Sequence, residues 1–228
     1  MEEDRNMLSQ AWLARIAAAA TLCSLTGLAG AATLLSENFN GTTPHANYTT
    51  GTGNPIPGSN FRVTAGTVDT VGNLNGSFFT CNNETNNNCV DLVGGGALGT
   101  IQSVPAFNLV AGNTYTLTFR SVASGAFVNA TLNNEATLGS QTLSFSDVQT
   151  SSTGYLWTNR QLQFVAASNE SGVHITLRAL NSTGGTSGSL VDDVLLTETA
   201  PLSDVPEPAA GMLGAAGLLV LGARRLLS

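Results

Sequence analysis

The chain contains no lysine. All eight of its basic residues are arginines, and charged residues make up only 10% of its 228 positions. Four arginines, Arg62, Arg120, Arg160 and Arg178, lie in the body of the chain, against Glu37, Asp69, Glu84, Asp91, Glu135, Asp147, Glu170, Asp192, Asp193, Glu198 and Asp204. So acidic a body is repelled by phosphate backbones and gains nothing from an anionic lipid surface, so no nucleic-acid partner is expected. Neutral sugars and divalent cations fit better. Histidine is almost as scarce, with only His45 and His174. A hydrolytic triad needs a histidine beside a nucleophile and an acid, and neither histidine neighbours a G-x-S-x-G motif. No G-x-G-x-x-G opens a helix, and the GGTSG run at 184–188 lacks that context. A glycosidase needs two carboxylates roughly 5 to 9 Å apart, whereas Asp192 and Asp193 adjoin and on a regular strand face opposite ways. A non-enzyme is the expectation.

Aromatic residues are few, at 6%. Tyr155 and Trp157, two apart, share a face if extended and would form a small platform for sugar stacking; burial of Trp157 in the core is the alternative. Cysteine is limited to Cys23, Cys81 and Cys89. Cys23 falls in an apolar N-terminal run. Cys81 and Cys89 flank the loop NNETNNN, and in an exported chain so close a pair reads as a disulfide rather than a zinc site, which would need two further ligands. The asparagines of that loop offer donors and acceptors to sugar hydroxyls.

What the body does contain is Gly, Ser, Thr and Asn with apolar residues at every second position. Thr114 to Ser121 places Tyr115, Leu117 and Phe119 on one face and Thr116, Thr118 and Arg120 on the other; Val173 to Ala179 repeats the pattern. Period-two alternation marks half-buried antiparallel strands. Further strands are expected at 34–39, 61–64, 67–71, 89–92, 127–132, 142–145, 161–165 and 190–197, separated by turn-rich breaks such as NSTGGTSG. No amphipathic helical stretch appears in the body. Many short strands at this spacing predict an all-β sandwich or barrel.

The two ends differ from the body. From Met7, Arg15 precedes an apolar stretch, Ile16 to Leu28, and a small-residue exit at Ala29-Gly30-Ala31, the pattern of a secretory signal peptide. The other end holds Pro206-Glu207-Pro208, an apolar run from Ala209 to Ala223, then Arg224-Arg225. Two prolines hold the triplet extended, the apolar run enters a bilayer as a helix, and the arginines stay cytoplasmic. Fifteen residues at ~1.5 Å each span roughly 22 Å, short for a permanent anchor in a ~30 Å core. This tail resembles the PEP-CTERM sorting signal. The resemblance implies processing by an exosortase, transient membrane anchoring, and release to the cell surface or extracellular matrix of a bacterium that exports polysaccharide. The expected organisation is a signal peptide over 1–32, a β-sandwich over 33–200, and a linker plus sorting signal over 201–228.

The order ENFN, FRVTAGTVDTVG, CVDLVGG, FNLVAGNTYTLTFR and SLVDDVLLTE is similar to the galactose-binding-like jelly rolls of carbohydrate-binding modules. That resemblance implies an antiparallel jelly-roll β-sandwich whose first and last strands lie together. It also implies a structural calcium ion, for which Glu37 and Asp192 or Asp193 match by position; an acidic pair beside a distant glutamate supplies the oxygens a hard cation wants. The alternative is that one aspartate faces solvent and the other caps a turn. The functional expectation is a non-catalytic carbohydrate-binding sandwich associated with exopolysaccharide. Its alternatives are a structural or adhesive matrix protein without a small ligand and a glycoside-active enzyme.

Overall fold

The computed structural model describes residues 30–43, 45–49, 53–72, 81, 87–124, 130–149, 156–182 and 188–201. They fall in one compact unit, Gly30–Pro201. The signal peptide, the sorting motif Pro206, Glu207, Pro208, Arg224 and Arg225, and Tyr155 lie outside the described residues.

The strands in chain order are β1 (Ala32–Glu37), β2 (His45–Thr49), β3 (Phe61–Ala65), β4 (Thr67–Gly72), β5 (Asn88–Asp91), β6 (Val93–Gly94), β7 (Ala97–Leu98) and β8 (Thr100–Ser103). They continue with β9 (Phe107–Leu109), β10 (Thr114–Ala123), β11 (Ala130–Leu138), β12 (Gln141–Gln149), β13 (Thr158–Val165), β14 (Glu170–Val173), β15 (Ile175–Ala179) and β16 (Ser189–Thr199). One sheet runs β13-β10-β16-β5-β4-β2, with β1 added beside β16; the other runs β12-β11-β15-β8-β3. Every pairing of the two sheets is antiparallel. The sheets form a sandwich in which the chain repeatedly crosses from one layer to the other, as in a jelly roll. The first and last strands pair, with Ser36 opposite Leu195.

The alternation read from the sequence is what fills the core. Tyr115, Leu117 and Phe119 of β10 and Val191, Val194 and Leu196 of β16 meet Val63 of β3, Ile101 of β8, Ala136 and Leu138 of β11, and Ile175 and Leu177 of β15. Each large side chain so buried contributes about 1.5–3 kcal/mol. Phe119 and Phe145 lock the layers with ring centroids 5.1 Å apart and planes at 62°. Tyr115 is buried with its hydroxyl donating to Glu198 Oε1 at 2.5 Å and accepting from Val110 N. Burial, reinforced by the Glu198 carboxylate, pushes its phenol up.

The strand expected at 127–132 is instead β11, Ala130–Leu138, whose Asn133-Asn134-Glu135 centre hides the alternation. The run 173–179 divides at His174, whose Nδ1 turns to the carbonyls of Ser103 and Pro105 at 2.8 and 3.1 Å. Strands β2 and β6 to β9 are not among those expected; β6, β7 and β9, of two or three residues, are too short to establish a period.

Cys81 and Cys89 are bonded to each other. With Val122, Leu190, Val71 and Trp157 they form a second apolar cluster. Replacing both cysteines by alanine is expected to lower unfolding free energy by about 2.5 kcal/mol, the chain-entropy value for so small a loop. Urea denaturation checks this, and a loss below about 0.5 kcal/mol would count against it.

Candidate functional site

Successive residues of a regular strand alternate faces, but β16 breaks the rule at its two aspartates. Thr118 of β10 pairs with Leu195 while Arg120 pairs with Asp192, so β16 carries one extra residue there. Asp193 has φ of 52°, the left-handed conformation that aspartate tolerates better than most residues. Val191 and Val194 both enter the core on either side of the bulge. Asp192 and Asp193 therefore share the outer face instead of opposing each other, correcting the expectation for neighbouring strand residues. The signal was present in the sequence: the apolar pair Val191 and Val194 stands three apart where alternation requires two.

Asp192 is fully buried on that face. Its Oδ2 accepts from Asn87 Nδ2 and its Oδ1 from Asp193 N, each at 2.8 Å. Burial, then the neighbouring Asp193 carboxylate, pushes its carboxyl up to about 7, against the opposing pull of those two donors and Arg120. Nearby, Asp91 lies directly opposite Asp69 across β4 and β5. Its burial, aided by Asp69, raises it well above the usual carboxylate range despite hydrogen bonds from Val93 and Gly188.

The calcium trio does not converge. Glu37 accepts from Phe39 N at 2.7 Å through Oε1, and from Asn60 N and Nδ2 at 2.6 and 3.1 Å through Oε2. Both oxygens of Asp192 are likewise engaged by protein donors, and Asp193 sits 3.8 Å from Arg120 Nη1. Among the described residues no group of three or more His, Cys, Asp or Glu side chains is gathered for a metal ion. The three residues do not fit a three-carboxylate site, and no role is assigned to calcium. Trp157 is half-buried against the disulfide cluster, with the Arg120 guanidinium 5.8 Å from its ring centroid, so its face is not an open platform.

The outer face of the larger sheet holds the feature the sequence did not single out. Register aligns Gln161 of β13, Thr118 of β10, Leu195 of β16 and Ser36 of β1 in one row across four strands. A parallel row is Gln163, Thr116, Thr197 and Thr33, with Gln163 Nε2 donating to Thr116 Oγ1 at 2.9 Å. A cleft of about 560 Å³ lies over the first row, bounded by Asn38, Asn159 and the Arg120–Asp193 pair. A second, of about 770 Å³, adjoins it around the sandwich edge, sharing Asn159, Arg160 and Gln161 and adding Asn133, Ser144, Ser146 and Asn181. Amides and hydroxyls at fixed strand spacing present both donors and acceptors without net charge.

Arg160 fixes this edge. It points inward from β13, donating to Ser121 Oγ at 3.0 Å, to Asp147 Oδ1 at 2.7 Å and to the Ser146 carbonyl at 2.8 Å. Its guanidinium also covers the Phe145 ring at 5.3 Å. One side chain thus ties the edge strand of one sheet to the edge strand of the other. Only the polar residue at an inward position, Ser121 after Tyr115, Leu117 and Phe119, announced a polar spot in the core.

No protein-family model matches the chain, and no curated protein matches it. Among solved structures it is similar to the CBM22-1 xylan-binding domain of Paenibacillus barcinonensis Xyn10C, at 11% identity and TM-score 0.39 over 77% of this chain and 99% of that one. It is also similar to the K3 cleaved adhesin domain of Lys-gingipain from Porphyromonas gingivalis, at 16% identity and TM-score 0.41 over 72% and 98%. A third is TmCBM61 in complex with β-1,4-galactotriose, at 17% and 0.36 over 60% and 86%. Similarities this low carry no inference about ligand.

Proposed function

We propose that the protein is an exported, non-catalytic β-sandwich that binds a neutral polysaccharide across the outer face of its larger sheet, in the extracellular matrix of the cell that makes it. The observation that carries the sugar reading is the in-register row Gln161, Thr118, Leu195 and Ser36 beneath a polar cleft. Four strands at ~4.8 Å spacing span roughly 14 Å, so an extended glycan lying across them meets an amide or hydroxyl at three of four steps and an apolar methyl surface at the remaining one. Destination rests on the sequence alone: a signal peptide at one end and, at the other, Pro206-Glu207-Pro208 ahead of an apolar run and Arg224-Arg225, which support sorting by an exosortase.

Each direct hydrogen bond to a sugar contributes about 0.5–1.5 kcal/mol. The double change Asn38→Ala and Asn159→Ala, at the two ends of the cleft, is expected to weaken glycan binding about tenfold with unchanged circular dichroism. A glycan array followed by calorimetry on the best hit, together with the host's own exopolysaccharide, measures it. Absence of binding by the unmodified chain to every glycan rejects the sugar reading in favour of a structural or adhesive matrix role. Binding indifferent to both alanines would place the glycan elsewhere.

A further inference from the structure

Among the described residues five strands of the two sheets have a free edge, and they are not equally defended; β1, paired only with β16, carries a register shift between Thr33 and Leu35. β2 and β3, at one side, each carry a register irregularity, between His45 and Tyr48 and between Val63 and Ala65. Such irregularities twist an edge and deter pairing. On the opposite side, the free edge of β12 is crossed by Arg160, which takes the Ser146 carbonyl. Among the described residues β13 has no such protection. Its eight residues pair with β10 without a single shift. It contains neither proline nor lysine, and Arg160, its one charge, is turned inward onto Asp147. Its outward side chains are Asn159, Gln161, Gln163 and Val165, exposed and uncharged.

We infer that β13 is the edge through which a second copy of this chain docks, by antiparallel strand addition about a two-fold axis. Parity limits the register. Opposed residues in an antiparallel pair must face the same way, so only registers matching odd with odd positions keep the polar row on one face. Two registers under that condition overlap seven of the eight residues, with Gln161 or Leu162 on the axis; the proposed one has Leu162 there and sets Gln161 of each copy against Gln163 of the other. Primary amides opposed in this way each donate and accept. Charge favours this edge above the rest of the surface: the molecule carries net charge −7, and like-charged bodies associate where neither presents a charge. The consequence rests on the sugar reading and deepens it. The row Ser36, Leu195, Thr118 and Gln161 would run on into Gln163, Thr116, Thr197 and Thr33 of the second copy, doubling the polar track.

Sedimentation velocity of the full-length chain, without glycan, over roughly 1 to 100 µM tests the dimer. Concentration-dependent dimer is expected. The double change Gln161→Lys and Gln163→Lys sets positive charge against positive charge and should weaken association at least tenfold. Mixing it with the chain carrying Gln161→Glu and Gln163→Glu should restore a dimer. A monomer throughout, or association that survives the lysine pair, overturns the inference; the latter would arise from the apolar ends. Should the lysine variant not fold, amide hydrogen exchange in Thr158–Val165 of the unmodified chain is read instead. Slower exchange at higher concentration supports the dimer, and unchanged exchange overturns it. Since no sugar is present, failure here leaves the glycan reading standing, and failure of glycan binding leaves the dimer standing.

Discussion

Asp192→Asn should make the folded protein more stable above neutral pH, by a few kcal/mol, and flatten its stability against pH. The sign follows from the direction of the shift. Burial raises the Asp192 carboxyl from an ordinary 3.8 to about 7 in the folded chain. Below pH ~4 both folded and unfolded chains hold the proton, and the group is neutral in its effect. As pH rises from about 4 to 7 the unfolded chain releases the proton and the folded chain keeps it, so folding loses up to ~1.4 kcal/mol per pH unit from this one residue. Asparagine never ionises and avoids that loss. The site can also receive an amide, because Asn87 Oδ1 is buried without a hydrogen-bond partner and accepts from the new NH₂ once the Asn87 amide turns over. Urea unfolding at pH 5 and pH 8 reads the difference. Equal pH slopes in the two proteins would reject it. A residual slope is expected in the variant, since Asp91 is raised by the same cause.

Arg160→Met should have the opposite and larger effect, a loss of about 3–5 kcal/mol at pH 7, because removing one member of a buried ion pair strands the other. The Asp147 side chain is only 2% exposed against 20% for Arg160. Its Oδ2 has no hydrogen-bond partner even with the arginine present, so without Arg160 only Ser121 Oγ, at 2.8 Å, would face the charge. The further change Asp147→Leu in the same chain should recover most of the loss, as an apolar pair of similar volume often replaces a buried ion pair at little penalty. Denaturant midpoints of the single and double variants decide it. A single variant within about 1 kcal/mol of the unmodified protein would show that the tether between the sheets is unimportant.

The layered β architecture was legible because the features that specify it are local. Alternation in Thr114 to Ser121 names Tyr115, Leu117 and Phe119 as core residues whatever they pack against, and all three are buried. The disulfide was legible for the same reason, as eight residues of separation leave the two sulfurs few other partners. Destination is a property of the end segments alone, and only their sequence speaks to it. What the sequence could not determine is everything that depends on register between distant strands. Whether Gln161, Thr118, Leu195 and Ser36 form a row is decided by three separate pairings, and one extra residue in β16 is enough to turn Asp193 onto the face of Asp192. Likewise Arg160 and Asp147, thirteen residues apart, meet only because β12 and β13 belong to different sheets whose edges close on the same side. Side-chain chemistry is written in the chain, but its juxtaposition arises from the sum of many pairings, and that sum exists only in the folded molecule.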